Sequence, residues 1–196
     1  MRLDDVRAIE YGGVIVDGER WPGCIHVIEH PDGRVLVDTG MMDSTPELDD
    51  EWHPFFDPDA IPRDAAVVVN THLHFDHCGG NRLFAGVPIY VQRVERETAR
   101  EPGYTIPEWV EFAGASYVEL DGAADIVPGV RVMPTPGHAP GHQSVLVDTD
   151  EGLVVVAGDV AYTWDEFDAA GAAILALGPR RIWLAHEAPP RDLPAA

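Results

Sequence analysis

The densest chemistry in the sequence is Thr71-His72-Leu73-His74-Phe75-Asp76-His77, where four side chains able to ligate a metal occupy six positions. The segment follows directly on the apolar run Ala65-Ala66-Val67-Val68-Val69 and an intervening Asn70. In an extended segment His72 and His74 point to one side, because side chains repeat every second residue. A turn after them brings Asp76 and His77 round to a neighbouring point, and two adjacent ligand pairs suit two metal ions better than one. Imidazole and carboxylate are the ligands of zinc and of other borderline divalent metals. Three later strand ends offer the remaining ligands. His138 closes Pro134-Thr135-Pro136-Gly137-His138, Asp159 closes Ala157-Gly158-Asp159, and His186 closes Ile182-Trp183-Leu184-Ala185-His186. A polar ligand ending an apolar strand three separate times is the pattern of a shared site at one rim of a sheet. His26, His30 and His53 lack such surroundings and are expected to be packing or surface residues.

The elements that must hold these residues are mostly short β-branched runs, at 14–16, 24–29, 34–38, 65–70, 88–91, 130–133, 144–148, 153–157 and 181–185. Pro31-Asp32-Gly33 and Asp150-Glu151-Gly152 read as hairpin turns between two pairs of them. Helical patterns lie at 92–100 and 106–113, and an Ala-rich one at 164–177 ends at Gly178-Pro179. The first half is mostly hairpins; the second runs strand, hairpin, strand, helix, strand. Residues 41–63, rich in Pro, Asp and aromatics, have no period and read as a loop or short-helix excursion near one edge. The expected class is α+β, with two sheets packed face to face and helices outside, since sheets of this size need both faces covered.

Composition narrows the partners. The chain has 196 residues, 45% of them hydrophobic and 24% charged, which suits one globular domain over 1–196 and excludes a disordered chain, a fibrous repeat and a coiled coil. Against 34 acidic residues stand 13 basic ones, all arginine, for a net charge of −21. Such a chain is repelled by phosphate backbones and anionic lipid, so neither nucleic acid nor membrane is expected as a partner. No signal segment is visible at Met1-Arg2-Leu3-Asp4-Asp5, and Cys24 and Cys78 are too few for a disulfide scaffold, so the expected location is cytoplasmic.

His72-x-His74-x-Asp76-His77, followed by His138, Asp159 and His186, resembles the metallo-β-lactamase superfamily of αβ/βα hydrolases. The last four landmarks are 61, 21 and 27 residues apart, and the likeness spans about 24–187. It implies the four-layer αβ/βα fold of two mixed sheets with outer helices. It also implies that His72, His74 and His138 hold one metal, that Asp76, His77 and His186 hold a second, and that Asp159 bridges them. A hydroxide shared by the two ions would be the nucleophile, with Asp76 returning a proton to the leaving alkoxide. Asp38, in Leu36-Val37-Asp38-Thr39-Gly40, resembles the family's early aspartate that supports the metal loop. The ions implied are divalent, zinc by expectation, with iron, manganese or cobalt accepted by the same ligands.

Within the superfamily, the stretches His72-Leu73-His74-Phe75-Asp76-His77-Cys78-Gly79-Gly80-Asn81 and Thr135-Pro136-Gly137-His138-Ala139-Pro140-Gly141-His142-Gln143-Ser144 are similar to the metal loops of N-acyl-homoserine lactone lactonases. Tyr162 matches the position at which those enzymes place a tyrosine on the lactone carbonyl, and His142 reads as a structural support. The expected substrate is therefore a small lactone or ester, and Phe75, between the ligands, is expected to touch it. Trp21, Trp52 and Phe56 are further candidates for the acyl tail. The family suggests a homodimer. The chain is shorter than such lactonases, and its compact stretch from Asp159 to His186 implies a missing part of the acyl pocket wall. The main enzymatic rival is a glyoxalase-II-like thioesterase, whose cationic glutathione-binding residues are not evident. A class B β-lactamase is disfavoured by Asp159, a sulfur dioxygenase by the full ligand set, and a nuclease by the charge. A metal-binding module on a retired hydrolase fold is disfavoured because no ligand is missing.

Overall fold

The computed structural model describes residues 1–194. Its strands and helices, in chain order, are β1 (Val6–Val16), β2 (Glu19–Ile28), β3 (Val35–Val37), α1 (Pro46–Glu51), β4 (Phe55–Phe56), β5 (Val67–Val69), α2 (Phe75–Cys78), β6 (Pro88–Gln92), α3 (Arg93–Thr98) and α4 (Pro107–Val110). They continue with β7 (Ser116–Leu120), β8 (Ala124–Val127), β9 (Val130–Pro134), β10 (Gln143–Thr149), β11 (Gly152–Val156), α5 (Trp164–Ala170), α6 (Ala172–Leu175), β12 (Arg181–Trp183) and β13 (Arg191–Asp192). The first sheet has the order β4-β1-β2-β3-β5-β6-β7 and the second β13-β12-β11-β10-β9-β8.

Period two explains the layers. Val35, Val37 and Val69 turn one way from the first sheet and meet Val145, Val147, Val154 and Val156 of the second in one core. The alternate residues Leu36 and Val68 turn outward beneath Leu48, Phe84 and Trp109. On the far side Leu146, Val155 and Ile182 pack under Phe167 of α5 and Ile174 of α6. Strands buried on both faces read as unbroken valine runs because neither face sees water. The four-layer arrangement implied by the sequence is thus present.

Three local expectations change. The helical pattern over 164–177 is two helices, because the buried Phe167 ring lies against Gly171: a Cβ there would meet it at 2.4 Å. Strands β7 and β8 had no β-branched run to announce them; both lie at sheet edges, and neither contains a buried residue. Finally, β5 ends at Val69, so His72 and His74 are not on an extended strand; Asp76 and His77 belong to the short helix α2. The excursion over 41–63, expected as a loop or short helix near one edge, holds the short helix α1 but also β4, an edge strand that the residues did not announce.

Candidate metal centre

Every candidate ligand follows the end of a strand at one rim shared by both sheets. β3, β5 and β6 run parallel, and their C-terminal ends lead to Asp38, to the segment from His72 to His77, and to α3. In the second sheet the β9–β10 connection carries His138, while parallel β11 and β12 lead to Asp159 and His186. Ligands at the carboxyl ends of parallel strands are a general consequence of connections that all emerge on one side.

The donor atoms converge. His74 Nδ1 lies 3.0 Å from His72 Nε2 and 2.9 Å from His138 Nε2, and the last two are 3.2 Å apart. Asp76 Oδ2 is 3.6 Å from both His77 Nε2 and His186 Nε2. Asp159 Oδ2 lies between the groups, 3.3 Å from His77 and His186 and 3.5 Å from His138. His72, His74 and His138 thus form one set within ligating reach, Asp76, His77 and His186 another, and His72, His77 and Asp159 a third that links them.

These residues fit divalent cations on their own chemistry. In four of the five histidines the outward Nδ1 has a partner: Thr71 Oγ1 for His72, Asp38 for His77, Tyr162 for His138 and the Pro22 carbonyl for His186. A proton held on Nδ1 leaves Nε2 with a lone pair aimed into the cluster. Three imidazole nitrogens facing one another cannot satisfy one another as hydrogen bonds, since each neutral ring has a single N–H. Tetrahedral zinc with bonds of about 2.0–2.1 Å would separate neighbouring nitrogens by about 3.3 Å. Buried His77 Nε2 and Asp159 Oδ1 have no hydrogen-bond partner among the described residues.

Charge inside the cluster is divided. Burial holds His72 well below the usual imidazole range and brings His74 down to about 4, so both are neutral donors. For His77 and His186 burial acts the same way but is outweighed by Asp159 and Asp76, which hold His77 well up and bring His186 to about 9. Asp159 is held well below the carboxylate range, the pull of His77 and His186 outweighing its burial. Asp38, in the left-handed region at φ 60°, accepts the Thr71 N–H, the Thr71 hydroxyl and His77 Nδ1–H, and so fixes the start of the ligand segment. His142 is not among the converging donors. Its Nε2 accepts the Asp159 N–H at 3.0 Å and its Nδ1 faces Thr135, which makes it a support. Gly158, at φ 59°, allows this contact, because a Cβ would stand 2.7 Å from His142 Nε2.

The cluster forms the floor of a cavity of about 840 Å³. Phe75, Trp21, Trp52 and Tyr162 line it, and Phe56 does not. It pairs with Gly12 in β4 and packs into the core that contains Tyr11 and Leu48, because the edge strand turns it away from the opening. Sequence reasoning missed Val14, Val16, Leu48, Tyr104 and Ile106 as cavity walls. Of these, the 14–16 run carried a strand signal and Ile106 opened a helical pattern, and neither signal pointed to a cavity. His26 is buried against Trp183, 5.5 Å between ring centroids, and His53 is exposed. Cys24 and Cys78 are buried free thiols.

The description Metallo-beta-lactamase superfamily matches residues 19–193. An N-acyl homoserine lactonase of Bacillus cereus is 34% identical over 75% of this chain and 67% of its own length. The N-acyl homoserine lactonase AttM of Agrobacterium fabrum is 32% identical over 75% of this chain and 68% of its own. The structure of an N-acyl homoserine lactone hydrolase with N-hexanoyl-L-homoserine at its catalytic metal center superposes with a TM-score of 0.81 at 25% identity, covering 93% of both chains. A quorum-quenching N-acyl homoserine lactone lactonase gives 0.78 at 26% identity, over 93% of this chain and 92% of that one. With the converging donors, the two face-to-face sheets and these matches in agreement, the chain belongs to the metallo-beta-lactamase superfamily.

Proposed function

We propose that this protein is a metal-dependent hydrolase that opens N-acyl-homoserine lactones or related small lactones, a quorum-quenching activity. One observation carries the reading: the donor cluster floors a cavity walled by Trp21, Leu48, Trp52, Phe75 and Ile106, and no arginine among the described residues lines it. A neutral ring ester with an apolar tail fits that lining. A glutathione thioester, with two carboxylates, would face Glu47, Glu51 and Glu108 instead of cations.

His72, His74 and His138 would hold one divalent ion, and Asp76, His77 and His186 a second, with Asp159 between them. Bound there, two ions, zinc by our assignment, would supply an activated water and Lewis-acid polarisation of the lactone carbonyl. Tyr162, on the cavity wall, would donate to the carbonyl oxygen as it gains charge. Its oxygen lies 2.9 Å from His138 Nδ1; with the imidazole proton on Nδ1 and Nε2 given to the ion, that oxygen accepts and its own hydrogen is free for the substrate. Burial and the Asp159 charge raise that phenol to about 12, so it stays a donor. Asp76, on the cavity floor, takes the proton released by the attacking water and passes it to the ring oxygen as the carbon–oxygen bond breaks. The product is a hydroxy acid, whose carboxyl group then releases its remaining proton to solvent. A cytoplasmic location and a homodimer complete the proposal.

The test is a rate comparison on hexanoyl- and decanoyl-homoserine lactone, a plain γ-lactone and S-lactoylglutathione, with Asp159→Asn as control. Lactone opening that disappears in the control supports the reading. Faster turnover of the thioester would overturn the substrate, and no turnover of any of the four would overturn the reaction.

A further inference from the structure

We propose that Glu95 is a positioning residue that locks the triangle of His72, His74 and His138 by tying together the two chain segments that supply it. The inference rests on the metal-hydrolase reading above. The triangle draws on segments far apart in sequence: residues 70–74 after β5, and residues 135–142 between β9 and β10. Glu95, in the first turn of α3, is wholly buried between them. Its Oε1 accepts the N–H of Leu73 at 2.8 Å, and its Oε2 accepts the N–H of Gly141 at 3.0 Å. Leu73 stands between His72 and His74, and Gly141 lies three residues from His138.

The contact is close on both sides. A Cβ on Gly141 would lie 2.4 Å from Glu95 Cβ, so the loop rests directly on the helix. Neither N–H donates to a backbone carbonyl among the described residues, so the carboxylate is the acceptor both loops depend on. The Tyr104 hydroxyl also donates to Oε1, and its ring lies 4.6 Å from that of His74. A buried carboxylate with no salt-bridge partner among the described residues is a costly group to place in a core. Three donors from three segments explain why it is there.

Glu95 touches only one of the two ligand sets. Asp76, His77 and His186 have other supports: Tyr11 donates to the Asp76 carbonyl, Asp38 accepts from His77, and the Pro22 carbonyl accepts from His186. Damage at Glu95 therefore falls chiefly on the site of His72, His74 and His138, and reaches the other only through Asp159, whose N–H is held by His142 beside Gly141. Such outer partners set metal affinity by about 10–100-fold.

Glu95→Gln keeps the volume but has one carbonyl oxygen for two N–H groups, so one loop meets an amide NH2. Zinc affinities of wild type and E95Q are measured by competition with a chromophoric chelator, alongside visible spectra of the cobalt-loaded proteins and His138→Ala as reference. Wild type is expected to bind two equivalents. In E95Q one equivalent weakens by about 10–100-fold, the other stays within about twofold, and the cobalt bands that change are those lost in H138A. Equal weakening of both equivalents, or unchanged affinities with only a lower Tm, would overturn the inference. Fewer than two equivalents in wild type would overturn the metal reading, and the inference with it, before any variant is compared.

Discussion

Four of the five histidines of the cluster are defined by what the outer nitrogen touches. Tyr162 is the one such partner that also lines the cavity, so its hydroxyl has a part to play toward substrate as well as toward His138. Tyr162→Phe is expected to lower kcat/KM for a lactone by about 10–100-fold, in the manner of an oxyanion donor, when both proteins are compared at saturating metal. Unchanged turnover by stopped-flow would assign the phenol to packing alone. His26 makes a separate point about burial. Burial, with a smaller push from His77, brings it down to about 3, against about 6.5 for a free imidazole. Because the folded pKa is depressed, the unfolded chain binds the extra proton. The stability is complete above about pH 6.5 and is lost as pH falls towards 3, at up to about 1.4 kcal/mol per pH unit. Urea unfolding of His26→Phe between pH 6.5 and 4 should therefore show a shallower loss than wild type; parallel curves would refute a neutral buried His26.

The elements act as carriers, and their ends matter more than their middles. The β1–β2 hairpin brings Val14, Val16 and Trp21 over the floor, and α1 with the turn after it brings Leu48 and Trp52 alongside, the Trp52 carbonyl accepting the Ile15 N–H. Trp52 meets Phe75 at 5.7 Å between centroids and Trp21 meets Tyr162 at 6.1 Å, so the wall is continuous with the site. Trp21→Ala and Trp52→Ala should raise KM for decanoyl-homoserine lactone several-fold more than for the butanoyl compound, at similar kcat. Equal changes for both tails would place the tail elsewhere. Gly171 shows sterics overruling propensity. Alanine gains about 1 kcal/mol in an ordinary helix position, but here its Cβ would enter the Phe167 ring. Overpacking of that kind costs about 1–3 kcal/mol, so Gly171→Ala should destabilise the protein in urea unfolding.

At the scale of the whole molecule, two sheets come together so that five imidazoles and two carboxylates share one small volume. Without cations those groups are left with inward lone pairs and unpartnered atoms, so metal binding should stabilise the fold. A ligand at 1,000 times its Kd contributes about 4 kcal/mol, and each kcal/mol moves Tm by about 2–4 °C in a chain of this size. Dialysis against a chelator is thus expected to lower Tm by about 10 °C, with recovery on adding zinc, as read by calorimetry. An unchanged Tm would argue against a tightly held metal. The net charge of −21 acts at the same scale, opposing anionic substrates beyond what the cavity lining does.

Much of this was legible in the residues themselves. His72, His74, Asp76 and His77 stand out because their spacing is local, and His138, Asp159 and His186 because each follows an apolar strand, whose period of two can be read along the chain. The layered fold was legible for the same reason, as the buried strands are nearly pure valine runs. The edge strands β7 and β8, the break at Gly171 and the fate of Phe56 were not, since each depends on a neighbour distant in sequence or on an edge that faces water. Only the tertiary structure decided that Trp21, Trp52 and Tyr104 wall one cavity, and that Glu95 is a tie between two loops. A single buried carboxylate in a charged helix carries no period and no motif. Its meaning comes from two backbone N–H groups, 22 and 46 residues away, that the fold delivers to its oxygens.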